Sequence, residues 1–468
     1  MKKEECFRIE QDSLGMVNIP IDAYWGVHTQ RAIDNFPVGS NIVSLKLIKA
    51  IVLTKKAAAI ANIELKYLNN KIGPAMLRAF DEILAGEFDD QFPLDALQGG
   101  AGTSTNMNVN EVVANRALEI LGHNKGEYII VSPIDHVNMH QSTNDVYPTA
   151  LKVASILCFK ELSGSVAGLQ GVFEKKEKEF TDIVKVARTQ MQEAVPITMG
   201  QEFSTFAECL SRDRWRIFKC EERLRSVNIG GTAVGTGLCA PRKYIFLVIE
   251  KLRELTGLGL ARAENLMGET ANADSFVEVS GILKAHACNL IKISNDLRLL
   301  SALKEIKLPK KQAGSSIMPS KVNPVILESV IQVGLKAVAN DSIITSVAQR
   351  GALQINEFLP LLADALLGSL MILKNANKML SDHVKDIEAD RGQCSYYLER
   401  SKAIITAFVP EIGYERCEKY IKEFEGTQGD NLRRFLIDKL GKDLVENVLS
   451  SQYLMALGHK EKGLKDNG

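Results

Sequence analysis

The chain contains few aromatic residues and few prolines. Aromatic side chains make up 6% of its 468 residues, and only 13 residues are proline. Because aromatic side chains are enriched in strands, this shortage argues against an all-β sandwich and favours a mainly α protein. Neither charge is in excess, since 57 Lys and Arg balance 57 Asp and Glu. A net charge of zero provides no general attraction to nucleic acid or to an anionic membrane, so neither partner is predicted.

Long apolar runs and paired cysteine motifs are also absent. No stretch of about 18 uncharged apolar residues occurs, so no transmembrane helix is predicted. The first residues, MKKEECFRIE, carry two lysines without an apolar run behind them, unlike a signal peptide. The eight cysteines include no C-x-x-C pair, which argues against a zinc ribbon or a thioredoxin motif. Scattered free thiols fit a reducing compartment, and we expect a cytoplasmic location.

Helical periodicity is strongest in the middle of the chain. Between Gly281 and Leu303, two rows of residues repeat every seven positions: Leu283, Leu290 and Leu297, then His286, Ile293 and Leu300. This period is typical of a long helix that packs in a bundle. Similar apolar stripes run through Leu151–Ala167, Gln170–Ala187 and Leu361–Val384. We therefore predict a central bundle of long helices.

Composition changes along the chain suggest three domains. The first part mixes short elements with polar loops, and the last ~75 residues are charged and interrupted by glycines. The predicted division is an N-terminal helical domain over 1–140, the helix bundle over 141–392 and a small C-terminal helical domain over 393–468. We expect the tail GHKEKGLKDNG to be frayed.

Three polar segments combine glycine or small hydroxyl residues with asparagine. They are Gly99–Glu111, Asp135–Thr149 and Gly314–Pro324, and the third adds Lys321. Short hydrogen-bond donors of this kind suit carboxylate oxygens. Each segment alone could be an ordinary helix cap with turn chemistry. Three such segments in one chain favour a site for a carboxylate ligand.

Two weaker motifs are not expected to be functional. Gly235–Ala240 matches G-x-G-x-x-A, but Pro241 follows at once and the preceding run is predicted to be helical, so a dinucleotide site is not indicated. His136 and His140 have the i, i+4 spacing of two metal ligands on one helix face. No third ligand is evident nearby, and no metal is predicted.

The segment GSSIMPSKVNP closely resembles the signature of the aspartase/fumarase superfamily. GTSTNMNVNE and DHVNMHQSTND resemble its two other blocks, and DAYWGVHTQRAIDNF and RTQMQEAVPITMGQEF resemble further family segments. The resemblance extends from about residue 8 to residue 390. It implies a mostly helical, three-domain subunit whose long helices form a twenty-helix core in a homotetramer. It also implies that each active site takes its three blocks from three different subunits.

Within this superfamily the chain resembles the aspartate ammonia-lyases more than the fumarases. The loop before DHVN is long, and Gln190 stands where fumarases carry His. The implied activity is that of a carbon–nitrogen lyase without a cofactor, which catalyses the reversible anti elimination of L-aspartate to fumarate and ammonium. Fumarate hydratase, a lyase for a substituted aspartate or succinate, and a non-catalytic crystallin-like protein remain alternatives.

The resemblance also implies roles for individual residues. Ser315 would be the general base, with Lys321 and Asn323 holding the carboxylate on which charge develops. The remaining implied residues are Thr103 and Ser104 for one substrate carboxylate, Ser142, Thr143 and Asn144 for the other carboxylate and the amino group, Thr189 and Gln190 for the rest of the pocket, Glu328 to orient Gln190, and Arg31 in support.

Several positions depart from the family pattern. The usual G-P-R-x-G turn after NDLRLLSA is missing, which shortens the approach to the serine segment. The other departures are Ile134 for Asn, His140 for Ser or Cys, Cys239 for Asn, and Glu357-Phe358-Leu359, which is atypical of the family's N-x-x-x-P segment. These differences leave strict specificity for L-aspartate open.

Overall fold

The computed structural model describes residues 6–39 and 41–458, so residues 459–468 of the predicted frayed tail lie outside the described part. The described residues form 17 α-helices and eight short strands. The helices are α1 Val27–Asn35, α2 Leu45–Glu64, α3 Ile72–Ala85, α4 Thr103–Ile120, α5 Thr143–Glu179, α6 Met199–Leu224, α7 Arg242–Thr256, α8 Leu266–Ala271, α9 Asp274–Ala302, α10 Val325–Ala348, α11 Leu359–Val384, α12 Arg391–Arg400, α13 Val409–Ile412, α14 Tyr414–Glu425, α15 Leu432–Leu440, α16 Lys442–Val448 and α17 Ser451–Met455. The strands are β1 Phe7–Asp12, β2 Gly15–Pro20, β3 Val184–Thr189, β4 Gln192–Thr198, β5 Ser226–Val227, β6 Ala261–Arg262, β7 Ile306–Lys307 and β8 Glu388–Ala389. The predicted mainly α class is confirmed.

The strands form four separate two-stranded ladders. The pairs β1–β2, β3–β4 and β7–β8 are antiparallel, whereas β5 and β6 are parallel. Two of the antiparallel pairs are hairpins, and they place Asp12 and Thr189 next to their turns. Both of these turns carry residues that matter for the candidate site.

The chain divides into two compact units. Unit 1 comprises Met1–Ser163, Trp215–Ala285 and Lys336–Leu373, and unit 2 comprises Gly164–Arg214, His286–Leu335 and Lys374–Gly468. The three-domain division over 1–140, 141–392 and 393–468 follows different boundaries and stays a prediction.

The long helices agree with the periodicity at most positions. The heptad segment lies inside α9, and α10 begins at Val325, directly after Asn323-Pro324. The stripe Gln170–Ala187 was predicted wrongly as one helix, because α5 ends at Glu179 and β3 begins at Val184. Val184 and Val186 flank the polar Lys185, and this alternation suits a strand.

The run before Gly235 is also not helical as predicted. Helix α6 ends at Leu224, and a strand and a glycine-rich loop follow. Gly230 and Thr232 have φ values of 89° and 56°, in the left-handed region. A helix cannot continue through such residues.

The C-terminal helices of unit 2 have their own apolar core. Its fully buried members include Ile404, Phe408, Leu432, Leu436 and Val445, and Val186 of β3 packs with them. Thus the predicted C-terminal helical segment shares its core with the β3–β4 hairpin.

Helix α11 is the one described helix whose length and apolar composition would allow it to cross a membrane. Of its most apolar window, 61% is buried inside the protein, and the core helix of a soluble protein passes the same test. The eight cysteines, all among the described residues, are free thiols.

Candidate active site

The first polar segment turns sharply into the N-terminus of α4. Three consecutive residues, Gly100–Gly102, have φ values of 81°, 56° and 89°. A Cβ on Gly102 would lie 2.4 Å from the Tyr147 ring, so only glycine fits there. This turn places Thr103 and Ser104 in the first turn of α4, where the helix dipole favours an anion.

A cavity of about 390 Å³ in unit 1 brings together three of the predicted residues, Arg31, Thr103 and Ser104. Asp12 also lines this cavity and accepts two hydrogen bonds from Arg31, from Nε at 2.8 Å and from Nη2 at 2.7 Å. The Arg31 guanidinium lowers the pKa of the Asp12 carboxyl to about 2. Arg31 is therefore held at the cavity by an ion pair rather than left free.

Sequence reasoning missed Glu111, which fixes the position of α1. This fully buried carboxylate of α4 accepts hydrogen bonds from the amides of Gly26 and His28, both at 2.8 Å, and from Thr29 Oγ1 at 2.6 Å. These donors belong to the N-terminus of α1, whose amides have no partner within the helix. Burial raises the pKa of Glu111 to about 7. Since α1 carries Arg31, this anchor sets the distance between Arg31 and α4.

The second polar segment forms a capped turn before α5. Ser142 Oγ accepts a hydrogen bond from the Asn144 amide at 3.2 Å, and the Ser142 amide donates to Asp145 Oδ1 at 2.9 Å. The Asn144 side chain donates to the Ala233 carbonyl at 2.8 Å. Thr143 is almost buried, with 9% of its surface exposed. The donors predicted to grip the substrate thus lie together in one rigid turn, although Asn144 is already engaged.

The two histidines of this segment do not share a helix face. His136 lies in a short π-helical turn, Pro133–Val137, and its Nδ1 is bonded to the Ser132 amide at 2.9 Å. His140 has a left-handed backbone with a φ of 61°, and its Nδ1 lies 2.8 Å from Asn62 Oδ1. Their i, i+4 spacing therefore does not place the two imidazole rings on one helix face. Within the described part of the chain, no group of three or more His, Cys, Asp or Glu could hold a metal ion.

The third polar segment is an exposed loop that folds onto itself. Gly314 is central to it, because its amide donates to the Lys321 carbonyl and its carbonyl accepts from Asn323 Nδ2, both at 2.7 Å. A Cβ on Gly314 would lie 2.7 Å from Asn323 N and from Lys321 O, so this closure requires glycine. Ser315, Lys321 and Asn323 are thereby held in one loop.

The Ser315 hydroxyl is hydrogen-bonded by two backbone amides of its own loop. Its Oγ accepts hydrogen bonds from the amide of Met318 at 2.8 Å and from that of Ile317 at 3.2 Å. Such donors stabilise negative charge on oxygen more than they stabilise a neutral hydroxyl. Lys321 is exposed and makes no ion pair with any described residue. The loop therefore offers a stabilised oxygen and a free cation.

Thr189 and Gln190 lie at the exposed tip of the β3–β4 hairpin. Gln190 and Met191 have φ values of 53° and 64°, which is the backbone of a tight hairpin turn. Glu328, in the first turn of α10, makes no side-chain hydrogen bond to Gln190 within the described residues. Its role in orienting Gln190 stays a prediction.

The predicted site residues divide between the two units. Unit 1 holds Arg31, Thr103, Ser104, Ser142, Thr143 and Asn144, and unit 2 holds Thr189, Gln190, Ser315, Lys321, Asn323 and Glu328. Each polar segment is ordered by its own hydrogen bonds. The roles of these residues toward a substrate stay predictions.

Comparison with known protein families identifies the family of the chain. A family described as lyase matches residues 15–339 of the chain. The chain belongs to this lyase family. The resemblance to the aspartase/fumarase superfamily is thereby confirmed.

Two aspartate ammonia-lyases are similar over most of the chain. The aspartate ammonia-lyase of Bacillus subtilis (strain 168) is 44% identical over 423 residues, which cover 89% of each chain. That of Escherichia coli (strain K12) is 43% identical over 470 residues, which cover 98% of each.

Solved structures share the fold. A fumarate lyase/delta crystallin of Brucella melitensis, solved with cobalt bound, has a TM-score of 0.92 and 42% identity, with 96% of this chain and 100% of that chain covered. A class II fumarase of Schistosoma mansoni has a TM-score of 0.88 and 32% identity, with 96% and 99% covered.

Proposed function

We propose that the protein is an aspartate ammonia-lyase, which catalyses the reversible anti elimination of L-aspartate to fumarate and ammonium. The single observation that carries the proposal is the pair of amide hydrogen bonds to Ser315 Oγ, at 2.8 and 3.2 Å. A serine hydroxyl is a poor base unless its alkoxide is stabilised. Two amide donors in a glycine-hinged loop supply that stabilisation.

The remaining groups fit the chemistry of the elimination. Removal of a proton from Cβ places a second negative charge on the neighbouring carboxylate, so catalysis needs a base and a cationic or N–H environment for that carboxylate. Ser315 takes the proton, and Lys321 and Asn323 stabilise the carboxylate. The α4 N-terminus, with Thr103 and Ser104, binds the other carboxylate. The C–N bond breaks as the amine leaves, and no cofactor is required for this step.

The donors of the Ser142–Asn144 turn and those of the β3–β4 tip complete the proposed pocket. The resemblance implies that this active site is shared between subunits of a homotetramer, and we include that arrangement in the proposal. In the proposal Arg31 supports the pocket through its ion pair, and Glu328 orients Gln190. A cytoplasmic location belongs to the same proposal.

The test is a panel of parallel reactions followed by the ultraviolet absorbance of fumarate. Separate wells contain purified protein with L-aspartate, L-malate or an N-substituted aspartate. Fumarate formed only from L-aspartate supports the proposal. Fumarate formed from L-malate alone would instead identify a fumarate hydratase, which the similarity to a class II fumarase makes the second candidate.

Fumarate formed from an N-substituted aspartate alone would support the same elimination chemistry with a different substrate. No fumarate in any well would refute a lyase acting on this group of compounds. A matched reaction with Ser315→Ala protein shows whether any activity depends on the serine loop.

A further inference from the structure

The glycine-rich loop that follows β5 has no role in the proposed chemistry, yet it is tightly built. Its Gly230 and Gly235 have φ values of 89° and 86°, in the left-handed region. A Cβ on Gly235 would lie 2.4 Å from the backbone of Met267. The loop is therefore packed against α8 so closely that only glycine fits. Such a loop is a rigid support rather than a flexible connection.

Asp145 joins this loop to the turn that carries Ser142, Thr143 and Asn144. Its side chain is fully buried, with 0% of its surface exposed. Oδ1 accepts the Ser142 amide at 2.9 Å, and Oδ2 accepts the amides of Gly230 at 3.0 Å and Thr232 at 2.9 Å. One carboxylate thus satisfies three backbone donors from two segments that are about 85 residues apart in sequence.

Further hydrogen bonds connect the same two segments. Asn144 donates to the Ala233 carbonyl at 2.8 Å, and Asn228 donates to the Asn144 carbonyl at 2.9 Å. Both ends of the Asn144 residue, side chain and carbonyl, are therefore held by the loop. The charged acceptor at Asp145 provides the strongest of these connections, because hydrogen bonds to an ionised group are about twice as strong as neutral ones.

We propose that Asp145 is a positioning residue that locks the Ser142–Asn144 turn onto the Gly230–Gly237 loop, and so sets where the hydroxyl and amide donors of the turn meet the substrate. The proposal rests on the proposed function, because it assumes that this turn binds the substrate. In this proposal the Gly230–Gly237 loop is the structural support that holds the Ser142–Asn144 turn in place.

This lock, the set of hydrogen bonds that Asp145 accepts from the amides of Ser142, Gly230 and Thr232, depends on the charge of Asp145. Burial raises the pKa of Asp145 to about 6, while its three amide donors and Lys55 on α2 act in the opposite direction. Burial also lowers the pKa of Lys55 to about 7. The other titratable groups that face this position are the buried Tyr244 hydroxyl on α7 and His140, whose ring contacts Tyr244 at 5.3 Å between centroids.

The direction of the pH effect follows from these groups. As the pH falls through about 6, Asp145 gains a proton and one oxygen becomes a donor that faces backbone amides. The turn then loosens, and the KM for the substrate rises. Lys55 gains its charge over nearly the same range and favours ionised Asp145, so it opposes this loss rather than causing it.

The main test compares Asp145→Asn with Lys152→Met. Asparagine keeps the size but offers one acceptor and turns an NH₂ group toward at least one amide. Lys152 is a buried residue of the same helix that is paired with Glu269 and donates to the Ser226 carbonyl at 2.8 Å. K152M therefore disturbs a buried contact of α5 with β5 and α8 but leaves the Asp145 carboxylate and its three amide donors unchanged in sequence. Misplacement of a binding group by 1 Å can cost about 100-fold, so D145N should raise the KM for L-aspartate by about 10- to 100-fold, with a smaller change in kcat.

The pH profile separates positioning from a general loss of structure. Wild-type protein and K152M should both lose kcat/KM as the pH falls through about 6. In D145N the part of this acidic limb that is centred near pH 6 should disappear, because the titrating group has been removed, whereas any loss caused by Glu111, whose pKa is about 7, stays in all three proteins. An unchanged KM in D145N, or an acidic limb in D145N that matches that of K152M, would overturn the proposal.

Hydrogen exchange tests the lock without any substrate. We expect peptides that contain Ser142 or Gly230–Thr232 to exchange at least about 10-fold faster in D145N than in K152M. If D145N does not fold, the same peptides are compared in wild-type protein at pH 5 and pH 7 after correction for intrinsic exchange, and their protection should be lower at pH 5. Equal protection in either comparison would refute the lock. If wild-type protein forms no fumarate from L-aspartate, the proposed function fails while this exchange result still decides the role of Asp145.

Discussion

Replacing Ser315 with alanine should abolish most of the activity while leaving the fold and substrate binding intact. Loss of a general base typically costs 10²–10⁴-fold in turnover, which corresponds to about 2.7–5.4 kcal/mol in activation free energy. The substitution also removes the acceptor for the amides of Ile317 and Met318. Since 84% of the Ile317 surface is exposed, water can replace that acceptor, and the loss of stability should be small.

The assay is the initial rate of fumarate formation at saturating L-aspartate, together with KM and the melting temperature of each variant. Ser316→Ala is the matched control, because Ser316 is the exposed neighbour and its hydroxyl bonds to no described residue. We expect S315A to lose at least about 100-fold in kcat with an unchanged melting temperature, and S316A to stay near wild type. Near-wild-type turnover in S315A would remove Ser315 from the role of base. An equal loss in both variants would indicate damage to the loop instead.

Three further predictions concern the other segments. Lys321→Ala should raise KM and lower kcat together, because this lysine touches the substrate in both the ground and the transition state; steady-state kinetics with both values unchanged would place it outside the site. Asp12→Asn should lower the free energy of unfolding at neutral pH. Because Arg31 lowers the pKa of Asp12 to about 2, the difference from wild type should be complete above about pH 4 and vanish as the pH falls through about 2. Denaturant unfolding curves of the two proteins that coincide at every pH would show that the Asp12–Arg31 ion pair does not stabilise the fold. Gly102→Ala should destabilise by about 1–3 kcal/mol, because its φ is 89° and the new Cβ would meet Tyr147, whereas Gly164→Ala, with open space around it, should be neutral or stabilising; equal melting temperatures would contradict the clash.

Local patterns in the sequence were sufficient for the helices and for the chemistry of the polar segments. The heptad rows of α9 repeat along one face, and burial of one face is what the repeat expresses. Glycine at position 314 and serine at position 315 indicate a tight turn with a hydroxyl, since each feature depends only on neighbouring residues. For the same reason the start of α10 after Asn323-Pro324 was predictable.

Boundaries that depend on distant partners were not predictable. The residues Val184–Ala187 continue an apolar stripe in sequence, but they pair with β4 and pack on the C-terminal core instead of extending α5. His136 and His140 have the spacing of a metal pair, yet the left-handed backbone at His140 separates their faces. In each case a tertiary contact overrode the local pattern.

The sequence by itself determined the fold class, the family and the types of residue in the three polar segments, because periodicity and short motifs are local properties. Only the tertiary structure decided that Arg31 meets Thr103 and Ser104 in one cavity. It alone also showed that the buried carboxylates of Glu111 and Asp145 support the segments that carry the predicted donors. These two acids accept amides that lie 85 residues away in the chain, and no local pattern records which distant backbone a buried charge will meet.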